Sequence, residues 1–196
     1  MKNSFSDNGS YKADRVSFSF ERLRIDGLIL VKPRVFPDER GFFLETYKKS
    51  EFSANGIEAA FVQDNHSLSA KGILRGLHYQ MPPYTQGKLV SVIGGRIWDV
   101  AVDMRRGSPT FGQWEGVELS DENKCLFWIP PGFAHGFVTL SETVHLLYKC
   151  TAEYDKTSER GMRWDDPDIA VAWPLRDVSV SARDAALPAF RDAAAI

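Results

Sequence analysis

The stretch Gly72–Met104, GILRGLHYQMPPYTQGKLVSVIGGRIWDVAVDM, decides the reading of the fold. Its pieces Gly72–Gln80, Lys88–Ile93 and Arg96–Met104 are short and strand-like, and turn residues separate them. In the last piece Trp98, Val100, Val102 and Met104 alternate with Asp99, Ala101, Asp103 and Arg105. That is the period of a strand with one buried face. The same stretch carries chemistry. His78 has a side chain whose ordinary pKa lets it take a proton near neutral pH. Lys88 could place a positive charge where an oxyanion develops. Arg75 offers a rigid fork suited to phosphate. A base, an oxyanion stabiliser and an anion clamp point to proton abstraction beside a carbonyl on a phosphorylated substrate.

Further strand-like pieces lie on either side: Leu28–Phe36, Gly41–Tyr47, Phe61–Ser67, Gly112–Leu119, Lys124–Ile129, Gly136–Leu140 and Val144–Cys150. Ser50–Gly56 reads as a short helix, and the tail from Ser181 has helical composition broken by Pro188. This spacing predicts an all-β jelly-roll barrel with short peripheral helices. Residues 1–20 are polar and lack an apolar period, which predicts a weakly ordered extension before one domain spanning 21–196.

A net charge of -2 leaves no electrostatic footprint for nucleic acid or anionic membrane. No apolar run approaches a membrane span, and the polar N-terminus lacks the core of a signal peptide. Cys125 and Cys150 sit in apolar segments, where free buried thiols are the default for a cytoplasmic protein. No Walker sequence, Rossmann fingerprint or nucleophile elbow is present, so any nucleotide recognition must use scattered side chains.

Each candidate has a bland alternative. A histidine at His78 could be an inert, hydrogen-bonded strand residue. Its company of Arg75, Lys88 and glycines favours a ligand site. His135, in WIPPGFAHGF, follows a Pro-Pro-Gly turn with spacing that resembles half of a metal-cupin signature. The upstream His-x-His is missing, since that place holds His78-Tyr79-Gln80, and no metal is expected. His135 then reads as a partner for an anionic ligand. Tyr148 is either a buried aromatic with a satisfied hydroxyl or a proton donor facing His78.

Taken together, PRVFPDERGFFLETY, FVQDNHS, GILRGLHYQ, QGKLV, DVAVDMRRGSPTFG, LSDENK, WIPPGFAHGF, LYKCT, ERGMRWDDPDI and SARDAALP resemble the dTDP-4-dehydrorhamnose 3,5-epimerases, a cupin-type family. The resemblance implies a base at His78, a pairing aspartate at Asp184, an acid at Tyr148 and a catalytic lysine at Lys88. It implies substrate contacts from Arg40, Glu45, Gln63, Asn65, Arg75, His135, Tyr154, Glu159 and Arg183. Arg183 stands where the family has lysine. The implied substrate is a dTDP-4-keto-6-deoxy sugar, without cofactor. The implied assembly is a homodimer in which Arg40 and Glu45 could serve the partner's pocket. A single-centre epimerase or a 3,4-ketoisomerase is the alternative chemistry, and a noncatalytic sugar-nucleotide-binding cupin is the alternative class.

Overall fold

Short alternating segments broken by Gly and Pro cannot bury themselves singly, and here they pair into two antiparallel sheets. The computed structural model describes residues 17–196, so most of the expected extension lies outside the described residues. The strands, numbered in chain order, are β1 (Phe18–Arg22), β2 (Ile29–Pro33), β3 (Phe36–Asp38), β4 (Gly41–Phe43), β5 (Gln63–Ala70), β6 (Leu74–Gln80) and β7 (Lys88–Gly94). They continue with β8 (Arg96–Asp103), β9 (Trp114–Ser120), β10 (Leu126–Ile129), β11 (Phe133–Thr139), β12 (Thr143–Cys150) and β13 (Glu159–Gly161). Helix α1 covers Lys49–Ala54 and α2 covers Ala182–Ala185.

One sheet runs β1-β2-β10-β7-β12-β5, the other β13-β6-β11-β8-β9, and β3-β4 forms a separate hairpin. The main core lies between the sheets. Val90, Val92, Phe127, Ile129 and Leu146 of the first meet Ile97, Ala101, Leu119, Phe133 and Phe137 of the second. A second cluster packs α1, through Phe52, onto Phe18, Ile29, Leu89 and Trp128. A third lies on the outer face of the five-stranded sheet, where Met162, Ile169, Trp173, Phe190 and Ile196 cover Leu77, Val100, Val102 and Met104.

That third cluster corrects the one-sided reading of β8. The apolar face is buried under the C-terminal tail. The face expected to be exposed, with Asp99, Ala101 and Asp103, points into the space between the sheets and is equally buried. The C-terminal tail covers one face and the opposite sheet the other, so neither face is open to water. The tail is tied down by its last residue: the Ile196 amide donates to the Met104 carbonyl at 2.8 Å.

Three further differences have simple causes. Phe18–Arg22 pairs with Ile29–Pro33, so residues 18–20 belong to the sheet and not to the extension. The strand expected over Gly41–Tyr47 stops at Phe43, because its partner β3 is only three residues long. The tail helix is a single turn, capped by Ser181 Oγ accepting from the Asp184 amide. Cys125 and Cys150 are free and buried. Among the described residues no helix is long and apolar enough to cross a membrane.

Asp103 shows how the sheet tolerates an interior carboxylate. Burial alone would raise its pKa. Hydrogen bonds from Arg105, Ser108 and Thr110 outweigh that and hold it at about 2. A folded-state pKa below the unfolded value of 3.8 stabilises the fold above that value, and the contribution is lost as pH falls through about 2. Asp103→Asn should therefore destabilise by on the order of 2 kcal/mol at neutral pH. In denaturant titrations its deficit should shrink as pH falls toward 2. A deficit unchanged between neutral pH and pH 2 would contradict this account.

Candidate active site

At one end of the space between the sheets lies a cavity of about 530 Å³. Its walls hold His78, Lys88, Tyr148, Asp184, Arg75, His135, Glu159 and Arg183, eight of the thirteen residues singled out in the sequence. The two sheets contribute different groups. His78 and His135 stand directly opposite one another on the adjacent strands β6 and β11, and so share a face. Lys88 and Tyr148 come from β7 and β12 of the facing sheet, where Lys88 pairs with Cys150 and Tyr148 with Val90.

Glycines permit this approach. A Cβ on Gly76 would lie 2.5 Å from the Gly136 Cα, and Gly76 has φ +137°, a conformation that disfavours other residues. Those are the glycines of LRGLH and AHGF, each next to or two residues from a site histidine. The ladder shifts register between His135 and Phe137, opposite Gly76. His135 lies inside β11, which begins at Phe133, ahead of the expected start at Gly136.

Asp184 reaches the cavity from α2. Its Oδ1 lies 2.9 Å from His78 Nε2, and its Oδ2 accepts from the Gly76 amide at 3.3 Å. Burial alone would raise the Asp184 pKa, but the bond to His78 and these amide and hydroxyl contacts hold it below the ordinary carboxylate range. Asp184 is therefore a fixed anion. With Nε2 of His78 donating to it, Nδ1 is the nitrogen left to take a proton. The His78 side chain is 28% exposed, enough to meet a ligand. Burial pushes the Tyr148 phenol up from its ordinary value, so it holds its proton and can give it away. Burial lowers the Lys88 pKa, while Cys150, Asp99 and Glu159 oppose that effect.

Glu159 on β13 is tied to Arg183 and accepts from the Tyr154 hydroxyl at 2.7 Å. Burial would raise its pKa, but these two partners keep it lowered. Arg183 is thus already paired at the rim of the cavity. Arg75 is steered by bonds from its guanidinium to Ser69 Oγ and the Leu68 carbonyl.

Five expected contacts do not line this cavity. Tyr154 meets it through Glu159 and Arg183. Gln63 accepts from the Tyr154 amide and donates to Asn65, which in turn contacts Cys150 Sγ. Arg40 is exposed on the β3-β4 turn and pairs with Asp38 at 2.6 Å. Glu45 follows that hairpin, near Lys48. Asn65 instead borders a second, apolar cavity of about 300 Å³ beside Phe42 and Leu44, to which Tyr148 also contributes. The sequence reading also missed Asp99, whose Oδ1 lies 2.7 Å from His135 Nε2. The available signal was an aspartate inside the apolar run IWDVAVDM.

Comparison with known proteins identifies the family. Residues 22–192 match the profile of the family described as dTDP-4-dehydrorhamnose 3,5-epimerase. The enzyme of that name from Pseudomonas aeruginosa is 55% identical over 174 residues, 88% of this chain and 96% of its own. A crystal structure of dTDP-6-deoxy-D-glucose-3,5-epimerase from Legionella pneumophila in complex with dTDP-4-keto-L-rhamnose superposes with a TM-score of 0.86. It shares 50% identity and covers 89% of this chain and 93% of its own. A 3'-monoepimerase from Streptomyces bikiniensis, in complex with dTDP-quinovose, gives a TM-score of 0.79 at 34% identity, with 85% of each chain covered. With two sheets enclosing these side chains and a match over nearly its whole described length, the chain belongs to the dTDP-4-dehydrorhamnose 3,5-epimerase family of isomerases.

Proposed function

We propose that this protein inverts C3 and C5 of dTDP-4-dehydro-6-deoxy-D-glucose, giving dTDP-4-dehydro-L-rhamnose. The observation that carries the reading is the placement of His78 on one sheet and Tyr148 with Lys88 on the facing one, around a single cavity. A ring held between them meets a base on one face and an acid on the other, which inversion requires.

The C4 carbonyl acidifies the hydrogens on C3 and C5. His78 Nδ1 removes one of them, and Asp184 stabilises the resulting imidazolium while holding the ring in place. The enolate charge falls mainly on the C4 oxygen, where Lys88 is the counter-charge; in a dry, preorganised site such a donor is worth a few kcal/mol, roughly 3. Tyr148 returns a proton from the opposite face. Arg75, His135, Glu159 and Arg183 hold the nucleotide diphosphate end, whose binding energy fixes the sugar between the sheets. The reaction moves protons only and is redox-neutral.

The same reading places the enzyme in the cytoplasm, as a homodimer. Phe42 and Phe43 on the β3-β4 hairpin are 59% and 66% exposed, and Val62, Leu68 and Ile93 are exposed too. Apolar surface of this kind is covered by association. A hairpin reaching across would bring Arg40 and Glu45 to the partner's cavity, which would explain their distance from this one.

Two experiments test these claims. Purified protein given dTDP-4-dehydro-6-deoxy-D-glucose should yield the doubly inverted sugar, identified from ring proton couplings. His78→Ala and Tyr148→Phe should each lower turnover by about 100-fold or more. A product inverted at one carbon would favour the single-centre chemistry of the Streptomyces relative, and unimpaired variants would remove the acid-base assignment. Co-expression of His78→Ala and Arg40→Ala subunits tests the dimer. If Arg40 acts across the interface, mixed dimers regain one intact site each. No regain above the separate variants would mean that Arg40 does not serve the partner.

A further inference from the structure

The cavity wall holds two imidazole-carboxylate pairs, and the mechanism above uses the carboxylate of only one. His78 bonds Asp184, and His135, directly opposite it in the ladder, bonds Asp99. His78, His135 and Asp99 lie on three consecutive strands, β6, β11 and β8, on the face turned toward the other sheet. Asp99 is 0% exposed, and His135 is nearly as deeply buried.

Asp99 differs from its neighbour Asp103, four residues along the same face. Asp103 is fully hydrogen-bonded by Arg105, Ser108 and Thr110. Asp99 has its Oδ1 on His135, while its Oδ2 is buried without a hydrogen-bond partner among the described residues. A buried carboxylate left half satisfied is destabilising, and an apolar side chain would serve a merely structural strand better. A single bond, aimed at a residue of the cavity wall, points to work done through that residue.

We propose that Asp99 is a positioning residue for the reaction, holding His135 with Nε2–H turned to the carboxylate and Nδ1 free, and supplying counter-charge to Lys88 from the wall that faces it. The inference rests on the epimerase reading. The charge of Asp99 also bears on Lys88: it is one of three groups, with Cys150 and Glu159, that oppose the effect of burial on that ammonium. The other titratable or charged groups around the same cavity are His78, Arg75, Tyr148, Arg183 and Asp184. Removing Asp99 therefore disturbs two groups at once, the orientation of His135 and the charged state of Lys88.

The variant Asp99→Asn keeps an acceptor for His135 but loses the charge. Its kcat should fall on the order of 10–100-fold with KM little changed. The alkaline limb of its kcat/KM profile should move to lower pH, because Lys88 loses its proton more readily. In a His135→Gln background the same change should cost at most about 3-fold, since much of its effect passes through His135. Melting temperatures measured alongside report any purely structural loss. Wild-type kcat with an unmoved alkaline limb would overturn the proposal, as would full additivity with His135→Gln. The tautomer can be read in the unmodified protein by imidazole 15N NMR: a protonated Nε2 on His135 supports the proposal, and a bare Nε2 with protonated Nδ1 overturns it. This reading needs no variant, so it decides the matter even if Asp99→Asn does not fold. If the wild type itself fails to turn over the keto sugar, the epimerase reading fails first, and the two failures are distinguishable.

Discussion

The close contact of Gly76 on β6 with Gly136 on β11 is the constraint on which the site depends. With no Cβ on either residue, the two backbones approach until an added Cβ would sit 2.5 Å from the opposing Cα. This contact sets His78 opposite His135 and turns the Gly76 amide toward Asp184. One backbone position therefore links a strand, its neighbour and the capped turn that carries the carboxylate. Any side chain there would push β6 from β11 and move His78 away from its aspartate, and displacement by about 1 Å is enough to cost catalysis heavily.

Around that contact the fold provides a cavity with different chemistry on its two walls. The five-stranded sheet supplies imidazoles backed by carboxylates, and the six-stranded sheet supplies the lysine and the phenol. The C-terminal tail makes this possible by covering the outer face of the five-stranded sheet. With that face sealed, the inner face of β8 can hold aspartates instead of the apolar residues a barrel core would otherwise need. Burial then sets the protonation states: the Tyr148 phenol keeps its proton, and Asp184 stays ionised because its hydrogen bonds outweigh burial.

Much of the barrel was legible in the sequence because strand period and turn chemistry are local. β6, β7, β8 and β12 fall within two residues of their expected bounds. Local signals failed where the cause was distant. β1 looks like the end of a polar tail until it pairs with β2. The polar face of β8 looks solvated, because nothing in IWDVAVDM shows that a tail far along the chain will cover the other side. For the site, His78, Lys88 and Arg75 could be read from residue type and spacing. Asp184, 106 positions from His78, came only through family resemblance, since no period links a helix cap to a strand histidine. Asp99 was visible as an aspartate in an apolar run, but so was Asp103. Only their hydrogen bonds separate the structural residue from the one that backs the cavity.

The most direct measurement follows solvent deuterium into the sugar ring of dTDP-4-dehydro-6-deoxy-D-glucose by NMR, with the wild-type protein in D2O. The proposed enolate pathway requires label at C3 and at C5, each replacing a carbon-bound hydrogen. The account predicts incorporation at both carbons, at rates no slower than product formation. Conversion of the sugar with hydrogen retained at either carbon would contradict it.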